Sequence, residues 1–156
     1  MMQILVAAFG NELRGDDGFG IAVLRRLEET SAADASPHEV RLIEVGTGGL
    51  WLAQQLLSPC DRLIIIDAMT RGTPPGTVSV LKVEDVPDTS DVDMHLAVPA
   101  RALGVAKALG ALSRETFLVG CEPAAVDDLV WELTEPVRAA VPVAARQVQA
   151  LMECGP

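Results

Sequence analysis

Two adjacent carboxylates, Asp16 and Asp17, stand inside the glycine-rich stretch GNELRGDDGFG at residues 10–20. The stretch lies between an apolar run typical of a strand and a pattern typical of an amphipathic helix. A glycine-rich turn in that setting usually receives a phosphate. Because two carboxylates would repel a phosphate, the sequence disfavours a dinucleotide site, and the pair needs a different explanation.

Other residues able to do chemistry follow later predicted strands. Asp67 ends the apolar run LIIIDA, Glu122 follows Cys121 in VGCEP, and His95 stands in a loop before a predicted helix. Ligands gather at the carboxyl ends of parallel strands in an open α/β sheet. We therefore expect these side chains at one edge of the sheet. Carboxylates and an imidazole there suit either a metal site with oxygen and nitrogen ligands or an acid–base site.

Each of these residues also has a structural explanation. Either Asp16 or Asp17 can cap the following helix by accepting hydrogen bonds from its free N–H groups. Asp67 can be a turn residue, although a carboxylate directly after four apolar residues needs a partner if it is buried. Glu122 can line a cleft or cap a turn. A loop histidine such as His95 is more often solvated than functional.

The elements that must position these residues alternate along the chain. Strands are predicted at 3–9, 39–45, 62–68, 77–83 and 116–121, and helices at 20–29, 49–57, 98–112 and from 134 onward. This order predicts an α/β fold: a three-layer sandwich with a mostly parallel, twisted, five-stranded sheet, one antiparallel strand and helices on both faces. The short turn at 70–76 predicts a hairpin of the third and fourth strands, with the fourth at an edge. Pro142 is expected to kink or split the last helix, and Trp51 is expected in the core.

Composition narrows the class of protein. The 156 residues suit a single domain, 1–156. A formal net charge of −10 disfavours nucleic-acid binding, which needs a basic surface. No apolar run approaches the ~20 residues that cross a membrane, and the N-terminus does not resemble a signal peptide. The widely spaced Cys60, Cys121 and Cys154 form no CxxC pair, which disfavours a zinc knuckle and predicts reduced thiols in the cytoplasm.

Six motifs resemble, in order, those of the hydrogenase maturation endopeptidases, which process the large subunit of [NiFe] hydrogenases. GNELRGDDGFG is similar to the family's GN-x-L-x-x-D-[DE]-x-x-G opening, and VGTGG (45–49) to its G-T-x-G. LIIIDA resembles its strand ending in Asp-Ala, and PPGTV its P-G-T. DMHLAVPARAL stands where the family has a histidine before a helix, and LVGCEP resembles its V-G-x-x-P. The resemblance covers about residues 3–125.

This resemblance implies a nickel-dependent endopeptidase that removes a C-terminal peptide from the nickel-loaded [NiFe] hydrogenase large-subunit precursor. It implies that Asp17, Asp67 and His95 are the catalytic and metal-binding residues, and that the precursor itself supplies the nickel. Asp93-Met94 precedes the histidine here, where many members have Ser-Pro-His or Thr-His, so we expect a different substrate preference of this loop. Supporting or substrate-binding roles are implied for Asp16, Gly46, Thr47 and Glu122.

The sequence leaves several alternatives open. Two oxygens and one nitrogen are too few for a closed structural zinc site. These residues are compatible with cleavage by a Lewis-acid metal, by a metal-activated water or by a carboxylate base. No G-x-S-x-G or Cys/His spacing is present, which disfavours a nucleophile such as Cys121.

Two other functions compete with the endopeptidase reading. One is a non-catalytic nickel or precursor checkpoint, or a chaperone, of the same fold. The other is a metallo-aminopeptidase, which is disfavoured because it should show more acidic and histidine ligands than this chain offers. The implied partner is the precursor, and a monomer is expected because the protein must dock on a large folded partner.

Overall fold

The computed structural model describes residues 1–58, 60–84, 111–126 and 129–156, together with Leu103 and Lys107. Its strands are β1 (Gln3–Phe9), β2 (Glu39–Gly46), β3 (Arg62–Ala68), β4 (Val78–Lys82) and β5 (Glu115–Cys121). Its helices are α1 (Phe19–Glu29), α2 (Ala32–Ala35), α3 (Gly49–Gln55) and α4 (Glu135–Glu153), and a 3-10 turn at Gly15–Gly18 directly precedes α1. The predicted helix at 98–112 lies mostly outside the described residues, although Leu103 and Lys107 are helical.

The five strands form one mixed sheet in the order β2-β1-β3-β5-β4. Strand β1 is parallel to β2 and β3, β3 is parallel to β5, and β4 is antiparallel to β5 at the edge. The predicted mostly parallel sheet with one antiparallel strand is therefore confirmed. The predicted hairpin of the third and fourth strands is wrong, because β1 and β5 occupy both edges of β3. The chain after β3 instead joins the end of β5, where Gly76 N donates to Glu122 O and Glu122 N donates to Thr77 O.

Helices cover both faces of the sheet because successive strand residues point to opposite sides. On β1, Ile4, Val6 and Ala8 face the core formed with α1 and α4. The alternate residues Leu5, Ala7 and Phe9 face a second core, which contains Leu52 from α3, Leu56 at the C-terminal cap of α3, and Leu103. This arrangement confirms the predicted three-layer sandwich.

Helix α4 runs without interruption through Pro142, so of the two predicted outcomes, a kink or a split, the split does not occur. A proline inside a helix removes a backbone hydrogen bond and costs about 3 kcal/mol. Burial of an apolar stripe against the sheet offsets that cost: Val137, Ala144 and Val148 are all completely buried.

Trp51 is 41% exposed, so its predicted place in the core is also wrong. Helix α3 buries Leu52 and Leu56, which lie four residues apart on one face. Trp51 precedes Leu52 by one position, about 100° around the helix. The part of the chain that the structure describes contains no helix with the length and apolar character needed to span a bilayer.

Candidate active site at the carboxyl edge of the sheet

Asp17 and Asp67 lie at the carboxyl ends of two neighbouring parallel strands. Asp67 is the penultimate residue of β3, and Asp17 belongs to the 3-10 turn after β1, which contacts β3. Both carboxylates are buried, with 8% of Asp17 and 3% of Asp67 exposed. The backbone N–H of Asn11 donates to Asp17 Oδ2 at 3.0 Å. The two carboxylates predicted to share an edge of the sheet are therefore placed there by the fold.

A glycine allows the turn that carries Asp17 to lie this close to the sheet. A Cβ atom on Gly20 would stand 2.4 Å from the carbonyl oxygen of Phe9 and 2.6 Å from that of Ile66. Any larger residue would therefore push the start of α1 away from the ends of β1 and β3. Close packing of helix and sheet thus explains this glycine without a phosphate ligand.

Asp16 anchors two distant segments of the chain and is completely buried. Its Oδ2 accepts hydrogen bonds from Ala124 N at 2.8 Å, Ala125 N at 3.0 Å and Thr134 Oγ1 at 2.8 Å. Its Oδ1 accepts one from Thr134 N at 2.7 Å. Neither of the adjacent aspartates makes a side-chain cap of α1. The structural alternative, a cap on the helix that follows, is thus not what Asp16 provides.

Instead, Asp16 serves the start of the last helix. Thr134 is the residue before the first turn of α4, and its own side chain does not cap that helix. The Asp16 carboxylate accepts both donors of Thr134, so its negative charge lies near the positive end of the α4 dipole. Sequence reasoning missed Thr134, because nothing local links it to a residue so far away along the chain.

Glu122 organises the turn that leaves the site after β3. Its Oε2 accepts from Arg71 N at 2.7 Å and from Thr73 Oγ1 at 3.1 Å, and its Oε1 accepts from Gly72 N at 3.2 Å. The residue is only 6% exposed. Of the two structural interpretations of Glu122, capping a turn is the one that these contacts support.

Gly46 and Thr47 lie beside the Asp17 loop at the end of β2. Gly46 has a φ of +64°, in the left-handed region that favours glycine, and its carbonyl accepts a hydrogen bond from Gly10 N at 2.9 Å. Thr47 is exposed. Because β2 neighbours β1, this loop borders the same edge of the sheet as the two carboxylates.

Cys121 is held as a neutral thiol. It is 1% exposed, and burial, together with the nearby carboxylates of Asp16 and Glu122, raises its pKa to about 12. Cysteine attacks as a thiolate, and a thiol with this pKa is almost fully protonated near neutral pH. The environment of Cys121 thus agrees with the sequence argument against a thiol nucleophile.

His95 lies outside the described residues, so the structure adds nothing to its predicted role. Within the described ranges, no group of three or more His, Cys, Asp or Glu side chains is placed to hold a metal ion. Asp17 and Asp67 would supply two of the three predicted ligands. Their oxygens, with one imidazole nitrogen, form a donor set that divalent transition metals accept. The metal assignment remains a prediction.

Comparison with known proteins gives the family. The family model described as hydrogenase maturation protease matches residues 21–151. The hydrogenase expression/formation protein HupM of Azotobacter chroococcum mcd 1 is 36% identical over 140 residues, 88% of this chain. The chain spans 65% of the length of HupM and 69% of that of the related HoxM of Azotobacter vinelandii.

Solved structures agree with the sequence relatives. The hydrogenase maturating endopeptidase HybD from E. coli superposes with a TM-score of 0.83 at 30% identity, covering 96% of this chain and 91% of that one. The [NiFe] hydrogenase maturation protease HybD from Thermococcus kodakarensis gives 0.80 at 29% identity, covering 97% and 100%. The predicted enzyme class, a hydrolase of the endopeptidase type, is the class of these relatives. This chain belongs to the hydrogenase maturation protease family.

Proposed function

We propose that this protein is an endopeptidase that removes the C-terminal peptide from the precursor of a [NiFe] hydrogenase large subunit once nickel is in place. The observation that carries the proposal is the pair of buried carboxylates, Asp17 and Asp67, at neighbouring strand ends. Solved relatives with the same fold are named hydrogenase maturation proteases. The proposal has the protein act as a monomer in the cytoplasm.

Nickel enters this proposal as part of the substrate. Asp17, Asp67 and His95 would complete the coordination of an ion that the precursor already holds. Binding would then depend on the presence of the metal, because a nickel-free precursor offers these residues no ligand to share. When bound, nickel supplies Lewis-acid activation of the scissile carbonyl or of a water molecule.

The four buried carboxylates, Asp16, Asp17, Asp67 and Glu122, have different roles in this proposal. Both oxygens of Asp16 and both oxygens of Glu122 accept hydrogen bonds from protein donors. These contacts tie Asp16 and Glu122 to the loops around the site. We assign nickel contact and proton transfer from the attacking water to Asp17 and Asp67 because they are buried at neighbouring strand ends and match the motif positions of the family.

The test is a processing assay with matched substrates. Nickel-loaded and nickel-free precursors are each incubated with the protein, and the C-terminal mass is read by mass spectrometry. We expect a defined C-terminal peptide to be lost only from the nickel-loaded form. Asp17→Asn, Asp67→Asn and His95→Ala should each abolish that loss. Asp34→Asn, the same change at an exposed carboxylate on α2, is the control and should cleave normally.

Other outcomes separate the alternatives. Tight binding of the precursor without a change in mass would favour the non-catalytic checkpoint. Equal cleavage of both precursors would remove the nickel requirement but leave the endopeptidase. Normal cleavage by all three site variants would show that the site is elsewhere.

A further inference from the structure

Four large apolar side chains form an exposed patch beside the candidate site. We call the surface of Leu13, Leu129, Val130 and Trp131 the apolar patch. Leu129 is 80% exposed and Trp131 is 73% exposed, while Leu13 and Val130 are 38% and 43% exposed. Single exposed apolar residues are ordinary on a protein surface, but several together usually mark an interaction site.

Backbone hydrogen bonds attach the apolar patch to the loop that carries the two aspartates. Val130 N donates to Leu13 O at 3.1 Å, and Gly15 N donates to Val130 O at 2.6 Å. Arg14 and Val130 form a parallel bridge between these bonds. The patch is thus joined directly to the 3-10 turn that contains Asp17.

The Asp16 carboxylate anchors the segment that carries most of the patch from both sides. It accepts hydrogen bonds from Ala124 N and Ala125 N before the patch, and from Thr134 N after it. These contacts fix the patch relative to the candidate site, so little conformational entropy would be lost when a partner binds there.

The backbone of Leu129 is strained. Its φ is +62°, a left-handed conformation that is unfavourable for a leucine. The same residue exposes 80% of its surface, so the strain does not serve to bury an apolar side chain. Residues held in sparsely populated backbone conformations cluster at functional sites.

The charge around the apolar patch indicates the kind of partner. Two carboxylates, Glu132 and Glu135, follow Trp131 closely along the chain. The nearby guanidinium groups of Arg14 and Arg138 donate to the carbonyl oxygens of Val126 and Leu133. Glu132 and Glu135 are exposed. A complementary surface would therefore present an apolar centre surrounded by basic side chains.

We propose that the apolar patch is the docking surface for the folded body of the hydrogenase large-subunit precursor, through an apolar area with a basic rim. This inference rests on the proposed function. Trp131 is the main anchor, because tryptophan is enriched among the few residues that carry most of the binding energy of an interface. Leu129 adds a second exposed apolar side chain. Docking beside the Asp17 loop brings the C-terminal peptide of the precursor to the candidate site.

The experiment measures kcat and KM for cleavage of the nickel-loaded precursor by Trp131→Ala and Leu129→Asn. Asparagine tolerates positive φ, so the second variant removes the apolar side chain without new strain. We expect KM to rise at least about tenfold, with kcat and the urea unfolding midpoint nearly unchanged. Leu57→Ala is the control, since Leu57 is 60% exposed but follows α3 toward the opposite edge of the sheet, and it should leave KM unchanged.

A second measurement tests the charge argument. Raising the salt concentration from about 0.05 M to about 0.5 M should raise the wild-type KM, because salt screens the attraction between the exposed carboxylates Glu132 and Glu135 and a basic rim. Lack of any salt dependence would contradict the basic rim.

The remaining outcomes separate this inference from the proposed function. If both patch variants cleave the precursor with the wild-type KM, the docking surface is refuted and the proposed function stands. If the protein binds the precursor without cleaving it, the endopeptidase proposal is refuted. The docking surface is then tested by the Kd values of the patch variants, and wild-type Kd values would refute it. Neither binding nor cleavage overturns both. A wild-type dimer that Trp131→Ala converts to a monomer at unchanged KM would assign the patch to a second copy of this chain and overturn the inference.

Discussion

Replacing Asp16 by asparagine is expected to destabilise the protein much more than the same replacement at Asp34. Asp16 is completely buried, whereas Asp34 is an exposed carboxylate on α2. Asp16 accepts hydrogen bonds with both oxygens, from Ala124, Ala125 and Thr134. The pair of variants therefore separates the effect of these hydrogen bonds from the effect of the change in charge.

The size of the effect follows from the geometry at Thr134. An asparagine at position 16 that keeps its oxygen in place of Oδ2 must turn its NH2 group toward Thr134 N, which lies 2.7 Å from Oδ1 in the wild type. A hydrogen bond to a charged group is worth about 1.5–3 kcal/mol, and a buried donor without an acceptor costs about 1–3 kcal/mol. Loss of the charge near the α4 N-terminus adds about 0.5 kcal/mol. We expect a loss of about 3 kcal/mol or more, and the opposite amide orientation would lose more contacts.

Urea unfolding followed by circular dichroism measures this difference. With a slope of about 2 kcal/mol per molar urea, a loss of 3 kcal/mol lowers the midpoint by about 1.5 M. We expect Asp17→Asn to abolish processing of the precursor. Asp34→Asn, at an exposed carboxylate, controls for the change in charge and should retain both stability and processing.

The reasoning would be refuted by a wild-type midpoint for Asp16→Asn. It would also be refuted if Asp34→Asn lowered the midpoint as much as Asp16→Asn. Either result would mean that the hydrogen bonds at Asp16 are not what holds the loop after β5 to the start of α4.

Three further predictions concern residues around this framework. Gly20→Ala should lower the thermal midpoint, because its Cβ would meet a carbonyl oxygen at 2.4 Å. Helix propensity alone predicts that alanine raises the midpoint, so a raised midpoint would contradict the close packing. Cys121→Ala should process the precursor normally, because the thiol has a pKa of about 12, and loss of cleavage by a folded variant would revive the thiol nucleophile. Arg62 holds the pKa of Glu115 below its ordinary value of 4.5, so this pair favours the folded state above that pH and loses its contribution as the pH falls through the folded-state pKa. Glu115→Gln should therefore flatten the fall of the urea midpoint between about pH 5 and about pH 3, and an unchanged slope would count against the pair.

Local sequence patterns sufficed for the elements that form the centre of the sheet. The runs at β1 and β3 are continuously apolar, as expected for parallel strands covered on both faces. Since parallel neighbours end at the same edge, the positions of Asp17 and Asp67 after those runs were enough to predict that they share it. The family motifs then predicted the endopeptidase class, which the relatives confirm.

The partner of β4 could not be predicted in the same way. A short turn after β3 is compatible with a hairpin, and only the assembled sheet shows that β1 and β5 already occupy both edges of β3. The exposure of Trp51 was misjudged for a similar reason. An indole usually buries most of its area, but which face of α3 meets the sheet is decided by Leu52 and Leu56.

The sequence by itself determined the α/β class, the family and the edge at which two carboxylates meet. These three conclusions follow from hydrophobic periodicity, from the rule that ligands gather at the carboxyl ends of parallel strands, and from motifs a few residues long. All of these signals are local in the sequence. Only the tertiary structure decided what Asp16 does. The partners of Asp16 come from residues 124–134, and the patch that contains Trp131 joins the same loop through Val130. Contacts between segments more than 100 residues apart depend on how the whole chain packs, and no local pattern encodes them.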